Sequence, residues 1–172
     1  MECLFHSQMW VKGNPLHFVV DSGIQKNLIS AEVVKRLQLS TTPHPQPYNI
    51  GWLIQAQGIR ITQKCLLPYG IKPFKYEVLC DVAPLEICDV LLGQPYMWKC
   101  HVVYESRPRS VIVTLGGKLY RIPETVAPNT VSQGWKISSH IRKLFLFTIV
   151  SKGEHPNYLH TLITGYLCSS DT

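Results

Sequence analysis

Phe18-Val19-Val20-Asp21-Ser22-Gly23 is the stretch that decides how this chain is read. Three β-formers run straight into an acid, a hydroxyl and a glycine. An aspartate placed where a strand leaves a core is costly as a free charge, so it needs a compensating arrangement. Ser22 offers a short hydroxyl that can bond backbone or a neighbouring chain, and Gly23 permits positive φ and close backbone approach. The result is a tight turn that presents an acid. An ordinary Asx turn at a strand end has the same spelling, and only the surroundings separate the two readings.

A second apolar run, Val90-Leu91-Leu92-Gly93-Gln94-Pro95, lies about seventy residues further on and leads into a short helix around Tyr96-Met97-Trp98. Between the two runs, Tyr48 to Ile61 places Gly51 and Gly58 around a hairpin-like stretch of β-formers that reads as a flap. Strand, D-S-G turn, helix, glycine-flanked hairpin, further strands and then apolar-apolar-Gly together resemble the retropepsin-like aspartic proteases. The wording of Leu28 to Leu37 and Cys80 to Leu85 is similar to plant retroelement polyproteins of the Ty3/gypsy long-terminal-repeat type.

That resemblance runs from about Leu4 to Pro123 and implies a mainly β fold, the half-pepsin closed β-barrel with one or two short helices. Asp21 is then the catalytic acid, and Ser22 and Gly23 complete its loop. Ser22 would bond across a dimer interface. Leu92 and Gly93 would pack behind the loop, the side chain supporting it and the glycine allowing the crossing. Gly51, Trp52 and Gly58 fall in the flap, whose amides would pair with an extended peptide. Trp52 is either a lid contact or the packed tryptophan of a plain surface hairpin. Lys26 and Asn27 follow the turn where relatives frequently carry small residues, which leaves the charge at the cleft entrance open. The last strands of the family help to form a dimer sheet.

Peptide hydrolysis by carboxylates needs two of them around one water, one ionised and one protonated. At about 3 Å and an effective dielectric near 20, two negative charges repel by roughly 5 kcal/mol, or about four pKa units, so such a pair keeps one proton across mildly acidic pH. This chain carries only one D-S-G: Asp81 and Asp89 are each followed by valine, and Asp171 by the final Thr172. The missing acid has to come from a second copy, which makes an isologous homodimer the catalytic unit. Neither metal nor cofactor is needed. A contrasting reading is a catalytically inactive retropepsin-like module from a degenerate element, used for dimerisation or peptide binding.

Composition agrees with one globular domain: 172 residues, 45% hydrophobic and 16% charged, with twelve prolines and eleven glycines scattered as many short strands and turns require. The formal net charge is +6, with thirteen Lys or Arg against eight Asp or Glu through Pro123. The cations of the chain are spread mostly singly, with only the Lys35-Arg36 and Arg142-Lys143 pairs, and form no stripe interleaved with aromatics, so nucleic-acid binding is disfavoured as the primary function. The six cysteines form no C-x-x-C pair, which argues against zinc and for free thiols in a reducing cytosol. No secretory signal follows Met1, and the apolar run Leu144 to Val150 is far shorter than the ~20 residues of a membrane span. The expected location is therefore cytoplasmic.

Along the chain, Leu4 to Trp10 and Leu16 to Val20 read as a hairpin turning around Lys12 to Pro15. Ser30 is placed to cap a helix over Ala31 to Leu37, with Val33, Val34 and Leu37 on one face. Thr41 to Pro47, with three prolines in five positions, reads as an extended spacer into the flap. Ile59 to Leu67 and Phe74 to Val82 read as strands turning at Pro68-Tyr69-Gly70, and Val102 to Tyr104, Val111 to Leu115 and Lys118 to Ile122 as late strands. Residues 1–123 form the expected domain and 124–172 a linker or tail, partly disordered. Within the tail, Ile141 to Val150 reads as a helix or strand suited to docking.

Overall fold

A computed structural model describes residues 4–52, 55–125 and 148–150, with no side-chain placement for 51, 52, 55–58 or 148–150. Alternating burial starts at once. Strand β1 (Phe5–Val11) buries Phe5, Ser7, Met9 and Val11 and turns through Lys12-Gly13, both at positive φ, into β2 (Asn14–Val20). Two residues suffice because a left-handed pair matches the twist of the strands they join. The turn is thus tighter than the four-residue one expected.

Short strand β3 (Leu28–Ser30) leads into helix α1 (Ala31–Arg36). Ser30 occupies the cap position, yet its hydroxyl bonds Leu85 O at 3.4 Å rather than the helix. Val33 is buried, with Val34 and Leu37 packed against the same core, as the spacing required. Two long strands follow, β4 (Thr41–Trp52) and β5 (Gln55–Ile71), then β6 (Phe74–Ala83). The proline-rich segment is not a spacer: it pairs with β5 from Thr41↔Cys65 to Pro43↔Gln63 and resumes at Tyr48↔Ile61 after a register shift. Prolines at 43, 45 and 47 are tolerated because a bulged strand leaves part of its ladder unpaired.

The turn expected at Pro68-Tyr69-Gly70 also lies elsewhere. Those residues pair with Glu77, Tyr76 and Lys75, and the chain reverses only at Lys72-Pro73. Tyr69 is the reason, since it is buried and its hydroxyl shares a 2.8 Å hydrogen bond with that of Tyr96. A core side chain with a polar partner outweighs the turn propensity of its neighbours.

Strand β7 (Val90–Leu92) runs into helix α2 (Gln94–Lys99), followed by β8 (Val103–Ser106), β9 (Arg109–Leu115) and β10 (Lys118–Pro123). The main sheet runs β1-β2-β7-β3-β6-β5, and the pairing of Trp10 with Gly70 joins β5 back to β1, closing a six-stranded barrel. Strand β4 extends the sheet beyond the barrel, and a last strand, β11 (Thr148–Val150), pairs on its far edge opposite Asn49 to Gly51. Strands β10-β9-β8 form a separate sheet. One apolar cluster contains Met9, Leu16, Phe18, Leu67, Val90 and Leu92, and a second, separate one contains Val19, Ile24, Leu28, Ile61 and Leu91.

Glu124 N donates to Arg109 O, Thr125 N to His6 O, and the Glu124 carboxylate pairs with Arg109, so the described chain stays attached to the barrel through Thr125. Of the segment Ile141 to Val150, residues 141–147 lie outside the described residues and 148–150 are strand β11. Closure of the barrel gives a direct test in β5. Leu67 is fully buried while its neighbour Leu66 is half exposed, so Leu67→Ala should cost about 2–5 kcal/mol in denaturant unfolding and Leu66→Ala less than about 0.5.

Candidate active site

Asp21 sits where β2 ends, and two backbone contacts fix it. Its amide donates to Leu92 O at 3.0 Å, continuing the parallel ladder of β2 and β7, and its Oδ1 accepts the Gly23 amide at 2.8 Å. That second bond is the Asx turn anticipated from the tripeptide, and it orients the carboxylate. Gly23 is not at positive φ, so its conformational freedom is not what the turn uses; a Cβ there would stand 3.2 Å from Asp21 Oδ1, and the residue makes room for the acid it holds. Asp21 is 8% exposed. Burial raises its carboxyl above the ordinary aspartate value, and the bond from Gly23 opposes that shift in part.

Behind the turn, the chain crosses itself at Gly93. A Cβ there would lie 2.4 Å from both Ile24 O and Lys26 O, which are backbone atoms with no side-chain freedom to yield. Glycine is the residue that permits this approach. The crossing is also bonded: Gly93 N donates to Asn27 Oδ1 at 3.0 Å and Gln94 N to Ile24 O at 2.8 Å. Asn27 uses its other end as well, donating from Nδ2 to Leu79 O at 3.2 Å. Leu92 is buried in the barrel core directly under the loop. Ser22 is exposed, and among the described residues its hydroxyl has no partner, although its carbonyl accepts Gln94 Nε2 at 3.0 Å.

Asp21, Ser22, Gly23, Leu92 and Gly93 are therefore brought together, as their wording in the sequence suggested. Gly51, Trp52 and Gly58 lie on β4 and β5, the paired strands of the expected flap hairpin, whose tip at 53–54 is outside the described residues. The side chain of Trp52 is likewise outside them, so neither reading of that residue is tested. Asn27 and Gln94 were not singled out as loop supports. The only signal for Asn27 was a polar residue opening an apolar run, which does not reveal that its partner lies sixty-six residues away.

A polar cluster stands at the base of the flap strand. Tyr48 donates from its hydroxyl to Asp81 Oδ2 at 2.6 Å, Lys64 Nζ lies 3.9 Å from Asp81 Oδ1, and Lys26 Nζ stands 5.0 Å from the centre of the Tyr48 ring. His44 Nε2 is buried 3.5 Å from Asp81 Oδ1 without hydrogen-bond geometry. His17 meets His6, ring nitrogen to ring nitrogen at 2.9 Å, and its backbone amide donates to Asp89 Oδ2 at 2.8 Å, a structural engagement. Burial lowers the pKa of both histidines.

The described cysteines are not activated thiols. Cys65, Cys80, Cys88 and Cys100 are free and buried, and burial pushes the Cys88 thiol up to about 12, far from the thiolate a nucleophile needs. Cys3 and Cys168 lie outside the described residues. No group of three metal-ligating side chains occurs among the described residues, and no helix among them is long and apolar enough to cross a membrane.

The fold is that of the retropepsin-like aspartic proteases. The retroviral protease-like domain of Ddi1 from Leishmania major superposes with a TM-score of 0.57 at 10% identity, covering 75% of this chain and 99% of that domain. The EIAV protease in complex with an inhibitor is similar at 0.40 and 14% identity over 58% of this chain and 89% of its own. A retropepsin-like aspartic protease from Rickettsia conorii is similar at 0.42 and 15% identity over 69% and 84%. No protein-family model matches the sequence, and no curated protein matches it either.

Two measurements check this geometry. Gly93→Ala should lower stability by about 3 kcal/mol, because two fixed carbonyls must move apart, and this is readable as a drop in denaturant midpoint. Asp21→Asn should act oppositely and with pH. The raised carboxyl pKa means the folded chain holds its proton more tightly than the unfolded one. Stability of the native sequence therefore falls as pH rises from the ordinary aspartate value through the raised one. The amide keeps the acceptor for Gly23 without the buried charge, so the Asp21→Asn substitution should raise the melting temperature at pH 7 and lose that advantage near pH 3.

Proposed function

We propose that this chain is an aspartic endopeptidase, active as a homodimer, that cuts extended polypeptide by carboxylate-activated water. The observation that carries the reading is Asp21 itself: a buried acid at the end of a barrel strand, its Oδ1 held by Gly23 and its loop pinned by the Gly93 crossing. An acid so placed is pre-organised for proton transfer and needs a second, equal acid to divide the work. With two copies related by a twofold axis, one Asp21 is the base that takes the water proton and the other, protonated, donates to the peptide carbonyl. The roles are interchangeable between copies.

Two features support a second copy at this face. The Ser22 hydroxyl is exposed and without an intrachain partner among the described residues, which suits a bond to the partner's loop. Trp98 is 86% exposed on α2, one turn after Gln94 that grips the Ser22 carbonyl, and borders a groove with Pro95 and Met97. An indole this exposed beside the catalytic turn is a suitable anchor for a partner. Leu92 supports the loop from below, and Gly51, Trp52 and Gly58 belong to the flap that closes over substrate. A retroelement polyprotein, of the Ty3/gypsy type, is the substrate suggested by the wording of residues 28–37 and 80–85. Four buried free thiols suit a reducing compartment such as the cytosol.

The test is cleavage of a Gag-like polypeptide at about pH 5. Activity should be blocked by an aspartic-protease inhibitor, fall by roughly a thousandfold or more in Asp21→Asn, and rise faster than linearly with enzyme concentration. Trp98→Lys should shift the dimer toward monomer in sedimentation. A wild-type dimer as inert as Asp21→Asn would instead leave the non-catalytic peptide-binding module.

A further inference from the structure

A pocket of about 260 Å³ opens between the catalytic loop, the β5–β6 ladder and α2. It begins at Gln25, two residues beyond the catalytic turn, and its Lys26 reaches across to Tyr48 on the flap strand, so it adjoins the place where an extended peptide would lie. Three ammonium groups from three different elements line it, Lys26, Lys64 and Lys99, together with the carboxylates of Asp81 and Glu77.

These charges do not cancel. Asp81 is already occupied by the Tyr48 hydroxyl and by Lys64, with His44 beside it. Lys26 and Lys99 form no ion pair with any carboxylate among the described residues. Each instead stands over a ring face, Lys26 at 5.0 Å from Tyr48 and Lys99 at 5.3 Å from Tyr76. A ring face holds an ammonium in place without neutralising it. Glu77 and Lys99 are both exposed, so solvent screens both alike, and the lining as a whole keeps three ammonium groups against two carboxylates. The floor is firm because Asn27 is clamped at both ends, to Gly93 N and Leu79 O.

We infer that this pocket, with Lys26 and Lys99 as its recognition groups, is a subsite for an acidic side chain of the substrate peptide. The inference rests on the peptidase reading, and it adds the substrate class. A carboxylate entering a pocket lined by two unpaired ammonium groups is attracted by both and can take a charge-assisted hydrogen bond from one of them. A neutral side chain gains none, and a lysine meets repulsion. Twofold symmetry supplies a second pocket on the other side of the catalytic pair. The preferred substrate therefore carries Asp or Glu on both flanks of the bond that is cut.

The experiment is digestion of a diverse peptide mixture by the full chain, with cleavage sites read by mass spectrometry. Asp and Glu should be enriched at one flanking position on each side. In Lys26→Glu/Lys99→Glu the ratio of kcat/KM for an acidic peptide over its Gln counterpart should fall at least tenfold, and Lys26→Met/Lys99→Met should erase the preference without reversing it. Efficient cleavage with no acidic enrichment, or an unchanged ratio in the Glu variant, would overturn the subsite while leaving the peptidase standing. If no peptide is cut, the pocket is read by binding alone, as fluorescence anisotropy of a labelled Glu-containing peptide on Asp21→Asn. That peptide should bind at least tenfold tighter than its Gln counterpart, and equal binding sinks the inference.

Discussion

The close crossing of two backbone segments at Gly93 is the constraint on which the rest of the site depends. The carbonyls of Ile24 and Lys26 occupy the space that any side chain at that position would need. Because a glycine leaves the space free, the chain after Asp21 can lie directly on the chain after Leu92. Four hydrogen bonds then lock the two segments together: Asp21 N to Leu92 O, Gly93 N to Asn27 Oδ1, Gln94 N to Ile24 O and Gln94 Nε2 to Ser22 O. A loop held at this many points cannot wander. That is what a catalytic carboxylate requires, since its usefulness depends on position to within a fraction of an ångström.

The crossing also explains the electrostatics. It holds Asp21 against the end of the barrel, where burial raises the cost of its charge, and Gly23 returns part of that cost through one amide. The carboxyl is thus biased toward its protonated form before any partner is considered. A second copy would push further in the same direction through like-charge repulsion, so that one proton is shared between two acids. Nearby, the same loop continues into Lys26, whose ammonium is steadied by the Tyr48 ring. Acid and cation are thereby set by one short segment, five residues apart in the chain.

Much of this was legible in the residues. The hairpin into Asp21, the helix through Val33 and most of the later strands lie close to where their local burial patterns placed them, whereas the packing of Leu92 and Gly93 behind the turn was implied by the family resemblance and β3 has no counterpart among the expected strands. Errors came where a distant partner overruled a local preference. Pro68-Tyr69-Gly70 has turn composition, yet Tyr69 is drawn into the core by Tyr96 and the strand continues. Thr41 to Pro47 has spacer composition, yet the free edge of β5 pairs with it on either side of a bulge. Ser30 has the chemistry of a helix cap, yet its hydroxyl finds Leu85.

Readable in the residues alone was an acid on a D-S-G turn that occurs once in the chain, with a glycine able to let another segment approach. Hydroxyl, carboxyl and glycine announce such a turn because their chemistry is short-ranged and acts within a few residues. Only the tertiary structure decided which segment makes the approach, that Asn27 bridges Gly93 to Leu79, and that lysines from three elements share one pocket with a carboxylate already engaged. Those are contacts between residues tens of positions apart. Barrel closure brings them together, and no local pattern encodes which distant strand a side chain will meet.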